Sequence, residues 1–166
     1  YIGHILKAGK HLSSLINEVL EIARIEAGQQ NLSIEAVDVK ELIHETWGLM
    51  RPMAAERNIT FKYSSDADDY QRLKQVLLNL LSNAVKYNCV NGAINVTCGK
   101  DALDGVLRIS VQDNGKGIEL DNHSKVFEVF ERLNADQSGE EGSGVGLALS
   151  KALMRAMSGE LGLDSI

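Results

Sequence analysis

From Tyr1 to Ala27 the chain has no proline, and Ile2, Ile5, Gly9, Leu12, Ile16, Val19 and Ala23 succeed one another at steps of three and four. That spacing is a heptad seam, which dictates one long α-helix and requires another helix to cover it. Leu6, Leu15, Leu20, Ile22 and Ile25 widen the apolar surface past what a lone solvent-facing helix carries, and Gly28 supplies a stop. The cover is either a second copy of the chain or a helix lying upstream. Because the chain opens on Tyr1 rather than Met and ends at Ile166 in mid-pattern, we expect a piece of something longer.

Beyond Gly28 the period changes repeatedly. Leu32, Ile34 and Val37 read as a short strand, Asp38 as the cap of a helix reaching Arg57, and Ile59 to Tyr63 as a second strand. Gln71 to Tyr87 places Leu73, Val76, Leu77, Leu80, Leu81 and Ala84 on one face of an amphipathic helix, and Asn91 with Gly92 signals a turn. Ala93 to Cys98 and Val106 to Val111 alternate as the two strands of a hairpin. Asn114 to Gly146 is rich in Gly, Asp, Glu, Asn and Ser and reads as a lid or binding loop. Val145 to Met157 forms a last helix, and Glu160 to Ile166 begins a strand. This order predicts an α/β fold, a mixed sheet with helices on one face.

Composition narrows the function classes. With 166 residues, 44% of them apolar and 24% charged, the chain is long enough to bury roughly 70% of its unfolded surface, which excludes disordered, collagenous and disulfide-scaffold proteins. Seventeen basic against 23 acidic residues leave a net charge of −6 with no basic run, which argues against duplex nucleic acid and anionic membrane as partners. No apolar stretch approaches the roughly 20 residues that span a bilayer. Cys89 and Cys98 lack CxxC spacing and read as reduced thiols, which points to the cytoplasm.

Any phosphate bound by so acidic a chain must be held by local geometry, and three segments offer it. DNGKGI, Asp113 to Ile118, follows a strand; it is either a plain turn or a place where Gly115 and Gly117 let the backbone approach a ligand beside a carboxylate. GSGVGL, Gly142 to Leu147, leads into a helix, whose free N–H groups and positive dipole end favour phosphate. It has neither the Lys of a P-loop nor the position of a dinucleotide fingerprint. In NLLSNAVKY, Asn79, Asn83, Lys86 and Tyr87 share one side of a helix at spacings of three and four. The two asparagines are either solvated or capping residues, or carboxamide ligands for a hydrated Mg²⁺ whose other ligands come from phosphates.

Taken in order, NLLSNAVKY, DNGKGI, VFEVFERL and GSGVGLALS resemble the N, G1, F and G2 boxes of the catalytic ATP-binding domain of sensor histidine kinases. LINEVLEIARIEAG, Leu15 to Gly28, is similar to the end of the dimerisation helix that leads into that domain. The resemblance implies a two-layer α/β sandwich of the Bergerat type behind a long N-terminal helix. Residues 1–28 would be the second helix of the dimerisation hairpin and 29–166 the catalytic domain. It implies ATP and Mg²⁺ as cofactors, with Asn79 and Asn83 on the metal, Lys86 near the phosphates and Tyr87 against the adenine. Asp113 would accept from the adenine amino group, while Gly115, Gly117 and Ile118 shape the base pocket. Phe127 and Phe130 match the F box as lid anchors, Arg132 reaches a phosphate, and Gly142, Gly144, Gly146 and Leu147 close the lid, with Asn134 to Gly142 as its moving part.

The reaction so implied is transfer of the ATP γ-phosphoryl group to a histidine and onward to an aspartate of a response regulator receiver domain, within a cytoplasmic homodimer formed through the N-terminal helix. No nucleic acid and no direct membrane contact are expected of this segment. Related ATPases such as gyrase and MutL carry a water-activating Glu four residues before the Mg²⁺-binding Asn, where this chain has Asn79, so hydrolysis is disfavoured. A non-catalytic nucleotide-binding or docking module is the alternative. The acceptor motif, a His followed by an acid and four residues later a Pro, is absent. His44–Glu45 imitates it with Leu49 in place of Pro and reads as a surface position; His4 and His11 read as solvated, and His123 lies in the lid. The family has a further strand where SSDADDY stands after Tyr63, and a last strand after GELGLDSI.

Overall fold

The changes of period are realised as α1 (Ile2–Glu26), α2 (Val39–Glu56), β1 (Thr60–Ser65), α3 (Leu73–Lys86), β2 (Ala93–Lys100), β3 (Leu107–Asp113), two 3-10 turns (Leu120–Asn122 and Lys125–Phe127) and α4 (Gly146–Ala156). The computed structural model describes residues 2–28, 39–65, 73–100, 106–131 and 143–165. The expected strand over Leu32 to Val37 and the SSDADDY segment past Ser65 lie outside the described residues. The chain divides into two compact units, one spanning 33–118 and the other combining 1–32 with 119–165.

In the 33–118 unit, the three strands form one sheet in the order β1-β2-β3. β1 runs parallel to β2, from Thr60 opposite Ala93 to Ser65 opposite Cys98. Parallel neighbours need a crossover, and α3 supplies it. β3 returns antiparallel, from Lys100 opposite Leu107 to Ile94 opposite Asp113, which is the expected hairpin. Along β2 the period of two is strict: Ile94, Val96 and Cys98 are buried, while Ala93, Asn95 and Thr97 are exposed.

The apolar face of α3 buries Leu73, Val76, Leu77, Leu81, Ala84 and Val85, and α3 packs on both α2 and β3. From α2 come Leu42, Ile43 and Thr46, all buried; the Thr46 hydroxyl donates to the Leu42 carbonyl at 2.6 Å, so no polar group is buried unpaired there. Trp47 stacks on Phe61 of β1, ring centroids 4.1 Å apart and planes 7° from parallel. Lys74 pairs with Glu45 at 2.6 Å across the two helices. Leu81 is fully buried at the centre of this packing, and Leu81→Ala is expected to lower stability by about 2–5 kcal/mol, read as a fall in the urea midpoint at unchanged slope.

In the other unit, α1 packs against α4, and Leu15, Val19, Ile22 and Ile25 are half-buried. The seam positions Ile5, Leu12 and Ile16 remain 71%, 58% and 52% exposed. α4 buries Ala148, Leu149, Ser150 and Leu153. The strand expected from Glu160 does not form: residues 160–165 are irregular, because a strand exists only through a pairing partner and no described segment pairs with them. No helix among the described residues is long and apolar enough to cross a membrane.

Candidate functional site

The crossover helix and the hairpin converge at one end of the sheet. Asn79, Asn83 and Lys86 occupy successive turns of α3 and are half-buried. Tyr87 extends the helical bonding by one residue, its N–H donating to the Asn83 carbonyl at 2.9 Å, and the residue is 38% exposed. β3 ends at Asp113, whose Oδ1 accepts the Gly115 N–H at 2.8 Å, a side chain closing its own turn two residues on. Gly115 lies so close to Tyr87 that a Cβ there would collide with the Tyr87 carbonyl oxygen and come within 2.8 Å of Asp113 Oδ1. The candidate turn is therefore pressed against the end of the candidate helix. Gly117 takes φ 70, a left-handed conformation suited to glycine, and Ile118 is half-buried.

Two residues outside the expected site lock this junction. Asn114 Oδ1 accepts the Ala93 N–H at 2.7 Å, and Asn88 Nδ2 donates to the Ala93 carbonyl at 3.2 Å. Both peptide groups of the first residue of β2 are thus taken, one by the segment after β3 and the other by the segment after α3. Asn88 Oδ1 also accepts the Cys89 N–H at 2.9 Å. Only their placement just past an element's end, where Asn side chains substitute for backbone partners, could have marked them in the sequence. Cys89 is exposed and Cys98 buried, and neither is part of a disulfide.

In the other unit, α4 starts at Gly146 with Val145 as N-cap and no side-chain capping bond, so the glycine-rich run does enter a helix. Ser143 Oγ accepts the Val145 N–H at 3.2 Å and donates to Glu18 of α1 at 3.1 Å. Gly144 takes φ 69, and its carbonyl accepts the Phe130 N–H at 2.9 Å. Leu147 is half-buried. The two F-box rings differ: Phe127 is half-buried under the Lys151 ammonium, 4.3 Å from its centroid, whereas Phe130 stands at φ 68 with 60% exposure, so it is not packed as an anchor. Arg132, Gly142 and the stretch from Asn134 lie outside the described residues. His44 is exposed on α2, as expected. Among the described residues no cluster of three His, Cys, Asp or Glu could hold a metal ion.

A mixed sheet backed by helices, with a carboxylate and glycine turn at the end of one strand, fits the ATP-binding fold shared by histidine kinases, DNA gyrase B and Hsp90. A family model described as "Histidine kinase-, DNA gyrase B-, and HSP90-like ATPase" matches residues 68–166, and the chain belongs to that family. The cell-division control histidine kinase PdhS of Brucella suis is 31% identical over 180 residues, an alignment that covers 99% of this chain and 17% of PdhS. Full-length ShkA, solved in complex with AMPPNP, superimposes with a TM-score of 0.77 at 35% identity, covering 98% of this chain and 36% of ShkA. Histidine kinase ThkA, solved in complex with response regulator protein TrrA, gives a TM-score of 0.67 at 25% identity, covering 96% of this chain and 44% of ThkA. The chain spans 17–20% of the length of the curated relatives it matches.

Proposed function

We propose that this chain is the ATP-binding catalytic module of a sensor histidine kinase, with residues 1–28 as the second helix of a dimerisation hairpin and 29–166 as the catalytic domain. The observation that carries the reading is the junction of Tyr87 with Asp113 and Gly115, which joins a helix bearing amide and ammonium groups to a carboxylate at a strand end. Asp113 Oδ2 accepts the adenine amino group, Tyr87 lies against the base, and Gly115, Gly117 and Ile118 give the base room. Lys86 balances phosphate charge. Asn79 and Asn83 have the donor chemistry for Mg²⁺, which when bound neutralises charge on the phosphates. Gly144, Gly146 and Leu147, at the start of α4, serve the phosphates as the resemblance implies, and so do Arg132 and Gly142.

In the reaction the bond between the γ-phosphorus and its bridging oxygen breaks, ADP leaves, and a histidine nitrogen supplied from outside residues 1–166 forms the new P–N bond. The chain's part is binding, orienting and charge balancing. An aspartate of a response regulator receiver domain then takes the phosphoryl group, a reading supported by the ThkA–TrrA complex. The exposed seam of Ile5, Leu12 and Ile16 supports a homodimer formed through α1, and we place that dimer in the cytoplasm.

The test is thermal unfolding of the 166-residue chain with AMPPNP and Mg²⁺. Ligand at about 100 times its dissociation constant is expected to stabilise the chain by about 2.7 kcal/mol. No shift in a well-folded chain would overturn the reading in favour of a docking module.

A further inference from the structure

We propose that Arg57 is a positioning residue for the nucleotide, acting through the last turn of α3; the proposal rests on the nucleotide reading above. Arg57 follows the end of α2, and Asn58, at φ 52, reverses the chain into β1. Its guanidinium reaches back to α3, where Nη1 donates to the Val85 carbonyl at 3.2 Å and to the Lys86 carbonyl. Carbonyls in the last turn of a helix have no N–H of their own helix to accept from, and they carry the negative end of its dipole. A planar cation with several donors meets both needs at once.

The main chain of Arg57 closes the other side of the same segment, because its carbonyl accepts the Asn91 N–H at 3.0 Å. Residues 85 to 91 are therefore held at both ends by one residue. Within that span lie Lys86 and Tyr87, and the Tyr87 carbonyl is the group against which Gly115 is pressed. Contacts run without a break from Arg57 to the end of α3, to Gly115, and through its N–H to the Asp113 carboxylate. Arg57 sets the spacing between the helix end and the turn after β3 without touching the ligand. Asn83 and Asn79 sit one and two turns further back, where intrahelical bonds hold them without this clamp. Its influence falls on the adenine and phosphate contacts and leaves the metal contribution alone.

That division is measurable by calorimetric titration of the 166-residue chain with AMPPNP, in Mg²⁺ and again in EDTA. Arg57→Ala is expected to weaken binding about tenfold, the size of one lost charge-assisted contact, and by the same factor in both buffers. Arg57→Lys, whose ammonium still reaches helix-end carbonyls, is expected to recover most of the affinity. Wild-type affinity in an Arg57→Ala chain shown to be folded at the titration temperature would reduce Arg57 to a structural role and overturn the proposal. So would a loss confined to the Mg²⁺ buffer. If Arg57→Ala does not fold, Arg57→Lys and Arg57→Gln decide by the same criteria: Gln keeps an amide donor without the charge and is expected to bind more weakly than Lys. A folded wild type that binds no AMPPNP would sink the nucleotide reading itself, whereas a binding wild type with equally binding variants sinks only the role of Arg57.

Discussion

Gly115→Ala is expected to lose nearly all of the nucleotide-dependent stabilisation. The new Cβ would fall on the Tyr87 carbonyl, which is main chain and cannot rotate away, and within 2.8 Å of Asp113 Oδ1. Relief requires the turn after β3 to move off the end of α3, which lengthens or breaks the 2.8 Å bond from Gly115 N–H to Asp113. Overpacking of this kind costs about 1–3 kcal/mol, so the unliganded midpoint also falls. Displacement of a binding group by about 1 Å can cost on the order of a hundredfold. At a ligand concentration that gives the wild type about 2.7 kcal/mol, a hundredfold weaker variant gains only about 0.4 kcal/mol. A folded Gly115→Ala chain with wild-type affinity would show that the junction does not position the nucleotide.

Asp113→Asn separates the carboxylate's chemistry from its place in the turn. The amide oxygen can still accept the Gly115 N–H, so the fold and the unliganded midpoint should stay near those of the wild type. The other half of the side chain becomes an NH₂ donor, and it meets a base amino group that is also a donor. A hydrogen bond to a charged acceptor contributes about 1.5–3 kcal/mol, which corresponds to a loss of roughly ten- to a hundredfold in AMPPNP affinity. Affinity within twofold of the wild type would assign the base contact to another group.

The difference between these two variants shows where the sequence is informative. Burial repeats on a period, so Leu73 to Ala84, Ile94 to Cys98 and the β2–β3 pairing could be read directly from residue order. The four boxes marked the candidate site because glycine, aspartate and asparagine serve those positions by chemistry and backbone freedom. The junction was not legible. Asn88, Asn114 and Arg57 act through side-chain bonds to main-chain groups, which every residue offers, so no pattern of residue types announces them. Nor could residue order show that 119–165 groups with 1–32. Glu160 to Ser165 has a strand's alternation at Leu161 and Leu163, yet a strand is a property of two segments, and residue order describes only one.

The one tryptophan of the chain stacks on β1 through Phe61, and this makes it an optical gauge with a narrow field of view. Its emission reads whether α2 still rests on the sheet, hence the state of the 33–118 unit alone. Far-ultraviolet ellipticity sums over every helix, including α1 and α4, which contain no tryptophan. Superposing the two melting curves therefore separates one cooperative molecule from two units that melt in turn, with no label introduced.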